Sequence, residues 1–122
     1  NAPVVTVVSV YTKDEGTGGI DKEMDSIDAS ELDANLLLQK LIEFGVIPAD
    51  TMMLSFVLED NKKATLDLSA LDTSDKRTLV ALANTYLENY ELDAITVKVQ
   101  GTATAETTDI QYNLDYEKVT SN

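Results

Sequence analysis

Residues 54–101, LSFVLEDNKKATLDLSALDTSDKRTLVALANTYLENYELDAITVKVQG, decide the fold. Apolar side chains recur at every second position in Leu54, Phe56 and Leu58, again in Ala64, Leu66 and Leu68, and again in Ile95, Val97 and Val99. A period of two makes each run a strand with one face toward the core and one toward water. The first two runs are joined by Asp60, Asn61 and Lys62, a polar turn that makes them a hairpin. Between the second and third runs lies a helix, capped by Asp72, Thr73 or Ser74, whose apolar stripe is Leu79, Ala83, Tyr86, Leu87 and Tyr90. The stretch is spent on packing and leaves few residues for chemistry, which points to binding or assembly rather than catalysis.

Working outward toward the N-terminus, Pro3 to Thr12 (PVVTVVSVYT) is β-branched at most positions and apolar on both alternating sets, the pattern of an interior strand. Lys13 to Gly19 (KDEGTGG) reads as a turn-rich loop; it has no following Lys-Ser/Thr pair, so it is not a phosphate loop. Ile20 to Ala29 has a weak pattern, suiting either a short strand or an irregular approach to a helix. Ser30, followed by Glu31 and Asp33, is the expected cap of that first helix, since a hydroxyl can accept from the first free amides and acids favour the positive end of the dipole. Leu32, Leu36, Leu37, Leu41 and Phe44 recur at helical spacing, widened by Leu38 and Ile42, and Gly45 ends the run before a connection at Pro48, Ala49 and Asp50. Beyond Gly101 comes a Thr/Ala stretch, Thr102 to Thr108. Alternation then resumes with Ile110, Tyr112, Leu114 and Tyr116, which reads as a last edge strand with polar Gln111, Asn113, Asp115 and Glu117. The expected fold is α+β: a mainly antiparallel sheet of four to five strands with two helices on one face, a split βαβ arrangement. Residues 1–122 form a single domain in this reading, with 102–122 as a C-terminal extension that adds the edge strand.

Composition narrows the function classes. Nine Lys plus Arg against 22 Asp plus Glu give a formal charge of -13, which repels phosphate backbones and anionic lipid, so nucleic acid is not an expected partner. The chain has no Cys and no His, which removes thiol nucleophiles, disulfides, imidazole bases and the commonest transition-metal ligands. No apolar run is long enough to span a bilayer, and no basic segment precedes an apolar one in the manner of a signal peptide. The first residue, Asn1, is compatible with an upstream signal or anchor having been removed.

Three blocks together resemble a known family: LLLQKLIEFG (Leu36 to Gly45), MLSFVLEDNKKATLDLSAL (Met53 to Leu71), and the second helix followed by LDAITVKVQG (Leu92 to Gly101). From Val5 to Gly101 the chain resembles the sporulation and spore germination domain called GerMN, with Asp67, Leu68 and Ser69 matching the family's Asp-Leu-Ser. It departs from the pattern where Lys62 or Lys63 replaces the usual hairpin glycine, where Gly45 and Pro48 split the usual Gly-Pro pair, and in the tail after Gly101. The resemblance implies a fold similar to ring-building motifs and an extracytoplasmic domain, on a lipoprotein or membrane-anchored protein of a Gram-positive cell surface. It implies membrane attachment only through an upstream lipid anchor, and it supplies no catalytic residues to transfer.

Asp21, Glu23, Asp25, Asp28, Glu31 and Asp33 offer oxygen ligands for a hard cation, but lack the Asp-x-Asp-x-Asp-Gly loop that would bring them to a point, so a solvated face and a helix start are the expectation. Carboxylate pairs are inevitable among 22 acids, and without Trp there is no sugar platform beside them. Tyr86 and Tyr90 fit a half-buried helical stripe. Tyr112 and Tyr116, on one face of the expected edge strand, are the candidate surface for self-association or a protein partner. The expected function is therefore non-enzymatic protein association, with no cofactor and no metal. The alternative is a module for a small ligand, cell-wall glycan or cation, using either the wet sheet face of Ser55, Val57, Glu59, Thr65, Asp67, Thr96 and Lys98 or the acidic loop.

Overall fold

A computed structural model describes residues 4–120. Its elements in chain order are β1 (Thr6–Lys13), β2 (Ile20–Ile27), α1 (Ala34–Glu43), β3 (Met53–Leu58), β4 (Lys63–Leu68), α2 (Lys76–Asn89) and β5 (Ala94–Val99), with a short 3-10 turn at Tyr116–Lys118. The α+β class and the two helices are as the periodicity predicts. The five strands, however, are distributed over two sheets rather than one: an antiparallel ribbon β1-β2, and a sheet in the order β3-β4-β5. In the second sheet β3 and β4 are an antiparallel hairpin, while β4 and β5 are parallel and joined by α2.

The reason for the division lies in β1. The expected strand began at Pro3, which is outside the described residues, and its apolar residues on both phases suggested strands on both sides. Among the described residues, only β2 pairs with it. Its other edge lies against α2, whose side chains replace a neighbouring strand. Asn89 accepts from the Ser9 N–H at 3.0 Å and donates to the Ser9 carbonyl at 2.7 Å. The Thr85 hydroxyl accepts from the Tyr11 N–H at 3.0 Å. Buried backbone groups must find partners, and here a helix supplies them. Val8, Val10 and Tyr11 are buried by this packing, whereas Val5, Val7 and Met24 remain exposed on the outer face of the ribbon. The expected interior strand is thus an interior position with respect to a helix, not to a sheet.

β2 is a full eight-residue strand, although its acids obscured the pattern; Ile20 and Ile27 at its ends are its buried anchors. Both helices start later than expected. Asp33, not Ser30, caps α1 by accepting from the Leu36 N–H at 2.9 Å. Asp75, not Asp72, Thr73 or Ser74, caps α2 by accepting from the Arg77 N–H at 3.0 Å. Asp72 instead closes a local turn onto Ser74, which keeps its carboxyl below the ordinary value through the Ser74 hydroxyl and N–H bonds. The hairpin turn falls at Asp60 to Lys62 as predicted. Lys62 takes φ 59°, the left-handed conformation that a glycine would adopt without strain.

The core joins both sheets through the helices. Leu37, Leu38 and Leu41 of α1, and Ala81, Leu82, Ala83, Tyr86 and Leu87 of α2, meet Ala64, Leu66, Leu68, Ile95 and Val97 from the sheet and Val8, Val10 and Tyr11 from the ribbon. Among the described residues no helix is long and apolar enough to cross a membrane.

Residues after Gly101 depart from the expected edge strand. Ile110 forms an isolated bridge, exchanging N–H and C=O with Ile95, and Val97 and Val99 donate to the carbonyls of Thr107 and Thr102. The segment therefore lies along the outer edge of β5 without becoming a continuous strand. Thr107, buried and bonded to Thr104, pins a turn in its middle, and this turn breaks the alternation that the sequence suggested.

Candidate interaction surface

The structure places Tyr112 and Tyr116 off any strand, both half-buried against Tyr11 of β1. The Tyr116 ring meets the Tyr11 ring edge-to-face at 4.9 Å, and Tyr112 does so at 6.0 Å, with the Tyr112 and Tyr11 hydroxyls hydrogen-bonded to each other. Tyr11 also donates to Glu88 at 2.5 Å, and Glu88 in turn holds Lys22 at 2.8 Å. Burial and the hydrogen bond to Glu88 push the Tyr11 hydroxyl far above its ordinary pKa, so it remains a donor. Burial alone would raise the Glu88 carboxyl, but the bonds from Lys22, Ser9 and Tyr11 outweigh it and hold the carboxyl below its ordinary value. The two tail tyrosines are thus engaged in attaching the tail to β1.

The wet face assembles as the spacing predicts. Cross-strand register places Ser55, Asp67 and Lys98 in one row and Val57, Thr65 and Thr96 in the next. Asp67 accepts from the Gly101 N–H at 3.0 Å, a bond that fixes the end of β5. The acidic residues serve separate duties: Asp25 pairs with Lys40 at 3.4 Å, and Asp33 caps α1. Asp14 and Asp21 share a hydrogen bond that lowers the first carboxyl and raises the second. Among the described residues, no three acidic side chains converge as a cation-binding group.

What sequence reasoning missed is β3. Leu54, Phe56 and Leu58 were expected to form a buried face, yet only Phe56 packs, against the rings of Tyr86 at 5.5 Å and Tyr90 at 5.0 Å. Leu54 and Leu58 are 52% and 55% exposed, and Met52 and Val57 are 65% and 53% exposed. The physical reason is position. Periodicity tells which residues share a face, and not whether anything covers it. β3 is an outer strand of its sheet, and its Met53, Phe56 and Leu58 border an open groove. Leu32, Asp33 and Glu31 at the start of α1 form one wall of that groove, and Met53, Phe56, Leu58 and Tyr90 form the other. The Asp33 and Glu31 carboxylates are near enough to add to the effect of burial in raising the Tyr90 hydroxyl. Among the described residues, no Lys or Arg lines the groove. The signal available in the sequence was the run Met52 to Leu58, seven residues with no charge in a chain carrying 31 charged ones.

No protein-family model matches the sequence, and no curated protein matches it. Among solved structures, the chain is similar to the tandem GerMN domains of the sporulation protein GerM from Bacillus subtilis, with a TM-score of 0.60 at 16% identity over 89% of this chain. The chain spans 46% of the length of that tandem structure. At this identity the likeness is one of fold, and it agrees with the GerMN resemblance carried by Val5 to Gly101.

Proposed function

We propose that this chain is a non-enzymatic association domain of a sporulation- or germination-related envelope protein, working outside the cytoplasm and held at the cell surface by an anchor elsewhere in its parent protein. The observation that carries the reading is the set of uncovered apolar residues on and just before β3, Met52, Leu54, Val57 and Leu58. Exposed single apolar residues are ordinary, but four of them within seven residues along an edge strand, in a chain this acidic, mark an edge that is covered in use. The fold shared with a sporulation protein supports the biological setting.

The test is photo-crosslinking in cells of the source organism. A photo-reactive phenylalanine analogue in place of Val57 is expected to give discrete protein adducts, whereas the same analogue at Thr108, beside the opposite edge of the sheet, gives none. Absence of adducts at position 57, with the protein present at normal abundance, would refute the association reading. External protease added to intact cells should degrade the domain, and its survival would place it inside.

A further inference from the structure

Among the described residues the two sheets have four outer strand edges, and three of them are closed. The β1 edge is bonded to Thr85 and Asn89 of α2. The β5 edge is bonded to the tail at Thr102, Thr107 and Ile110. The β2 edge carries Asp21, Lys22, Glu23 and Asp25, and the Tyr116–Lys118 turn packs against that strand. Charge and cover are the usual means of keeping an edge from pairing.

Among the described residues, the β3 edge has neither. The Glu59 N–H donates to the Lys63 carbonyl at 2.7 Å, and the register continues unbroken through Leu58 with Ala64, Val57 with Thr65, Phe56 with Leu66 and Ser55 with Asp67. Hydrogen-bonded pairs alternate in an antiparallel ladder. Val57 and Ser55 therefore direct their backbone groups inward to β4, and Phe56 and Leu58 direct theirs outward. The only irregularity is between Met53 and Ser55, so the Phe56 to Leu58 half is a regular, open template.

We infer that the outer edge of β3 is a pairing site for an extended segment of a partner polypeptide in which apolar residues alternate with Lys or Arg. The segment would add a fourth strand to the sheet, exchanging backbone bonds with Phe56 and Leu58 and laying its apolar residues beside those two side chains on the groove face. Charge selects the occupant. Glu31 and Asp33 overlook the groove, Glu59 and Asp60 follow the strand, and Asp50 precedes it. A second copy, also at -13, would bring the Asp50 end of one β3 against the Glu59 and Asp60 end of the other, which is repulsive. A cationic segment gains from the same groups. This inference rests on the association reading and specifies its partner.

The test uses the acetylated, amidated heptapeptide Lys-Val-Lys-Val-Lys-Val-Lys, and the same peptide N-methylated at every residue, which keeps the charge and side chains but has no N–H to donate. At saturating peptide, exchange of the Phe56 and Leu58 amides with deuterium is expected to slow by about tenfold or more. The N-methylated peptide and the Leu58→Lys variant should abolish that protection. Equal chemical-shift changes from both peptides, spread over the acidic surface, would overturn the proposal in favour of diffuse charge attraction. Protection of the same amides without peptide, rising with protein concentration, would overturn it in favour of a second copy. Adducts at position 57 in cells, together with a failed peptide experiment, would leave association standing and remove strand pairing alone.

Discussion

At the scale of single residues, the structure depends on polar side chains that do the work of a backbone. Asn89 presents its amide to both the N–H and the carbonyl of Ser9, which is buried. Asn89→Ala leaves that pair unsatisfied, and a buried group stranded in this way costs about 1–3 kcal/mol. Urea unfolding of the variant should show the midpoint falling at unchanged slope. Glu88 is the second such residue, and its contribution depends on pH. Its folded carboxyl is held below the ordinary value of 4.5, so its stabilisation is fully present above that value and is lost as pH falls through the lower folded value. Stability measured from pH 7 downward should therefore show the intact chain ahead of Glu88→Gln at neutral pH, with the gap closing below about pH 4.5. A gap independent of pH would mean that the carboxyl packs rather than pairs.

At the scale of elements, the legible and the illegible separate for physical reasons. The hairpin, α2 and β5 were visible because their residues obey a single period and are bounded by turn chemistry, and Gly45 at φ 77° ends α1 as a glycine should. Helix starts were misread by a few residues because the sequence offers several competent caps in a row, and only the tertiary fit of Leu37 and Leu41 selects among them. Asp33→Ala is expected to cost about 1 kcal/mol. Ser30→Ala, at the exposed residue that sequence alone favoured, should stay within about 0.5 kcal/mol of the parent. Thermal unfolding of the two variants checks the assignment, and a larger loss at Ser30 would reverse it. The closing of the β1 edge was unreadable, since nothing local in Thr85 or Asn89 announces a bond to residues 74 and 80 positions away. The tail was misread for a related reason: its alternation of tyrosines arises from separate contacts with Tyr11, and not from a strand. The candidate surface was half legible. The wet face emerged in the predicted rows, whereas the open β3 edge depends on which strand ends up outermost, a property of the whole topology.

At the scale of the molecule, an open apolar edge and a large negative charge explain one another. An unguarded strand invites pairing with other copies, and a charge of -13 keeps those copies apart at neutral pH. The protection is global rather than local, so it should fail globally. As pH approaches the sequence pI of about 4.1, the net charge vanishes and β3 becomes free to pair with itself. Light scattering during acidification should therefore show a monomer at pH 7 and association setting in near the pI. A lysine at position 57 places one charge on the strand, and a lysine at exposed Thr108 adds the same charge beside the opposite edge of the sheet. Thr108→Lys, by reducing the net charge, moves the onset slightly to higher pH; if β3 is the surface that associates, Val57→Lys moves it the other way, to lower pH, despite the same change in net charge. Equal shifts from the two variants would show that acid association has no preferred edge, and that the charge guards the molecule as a whole rather than this strand.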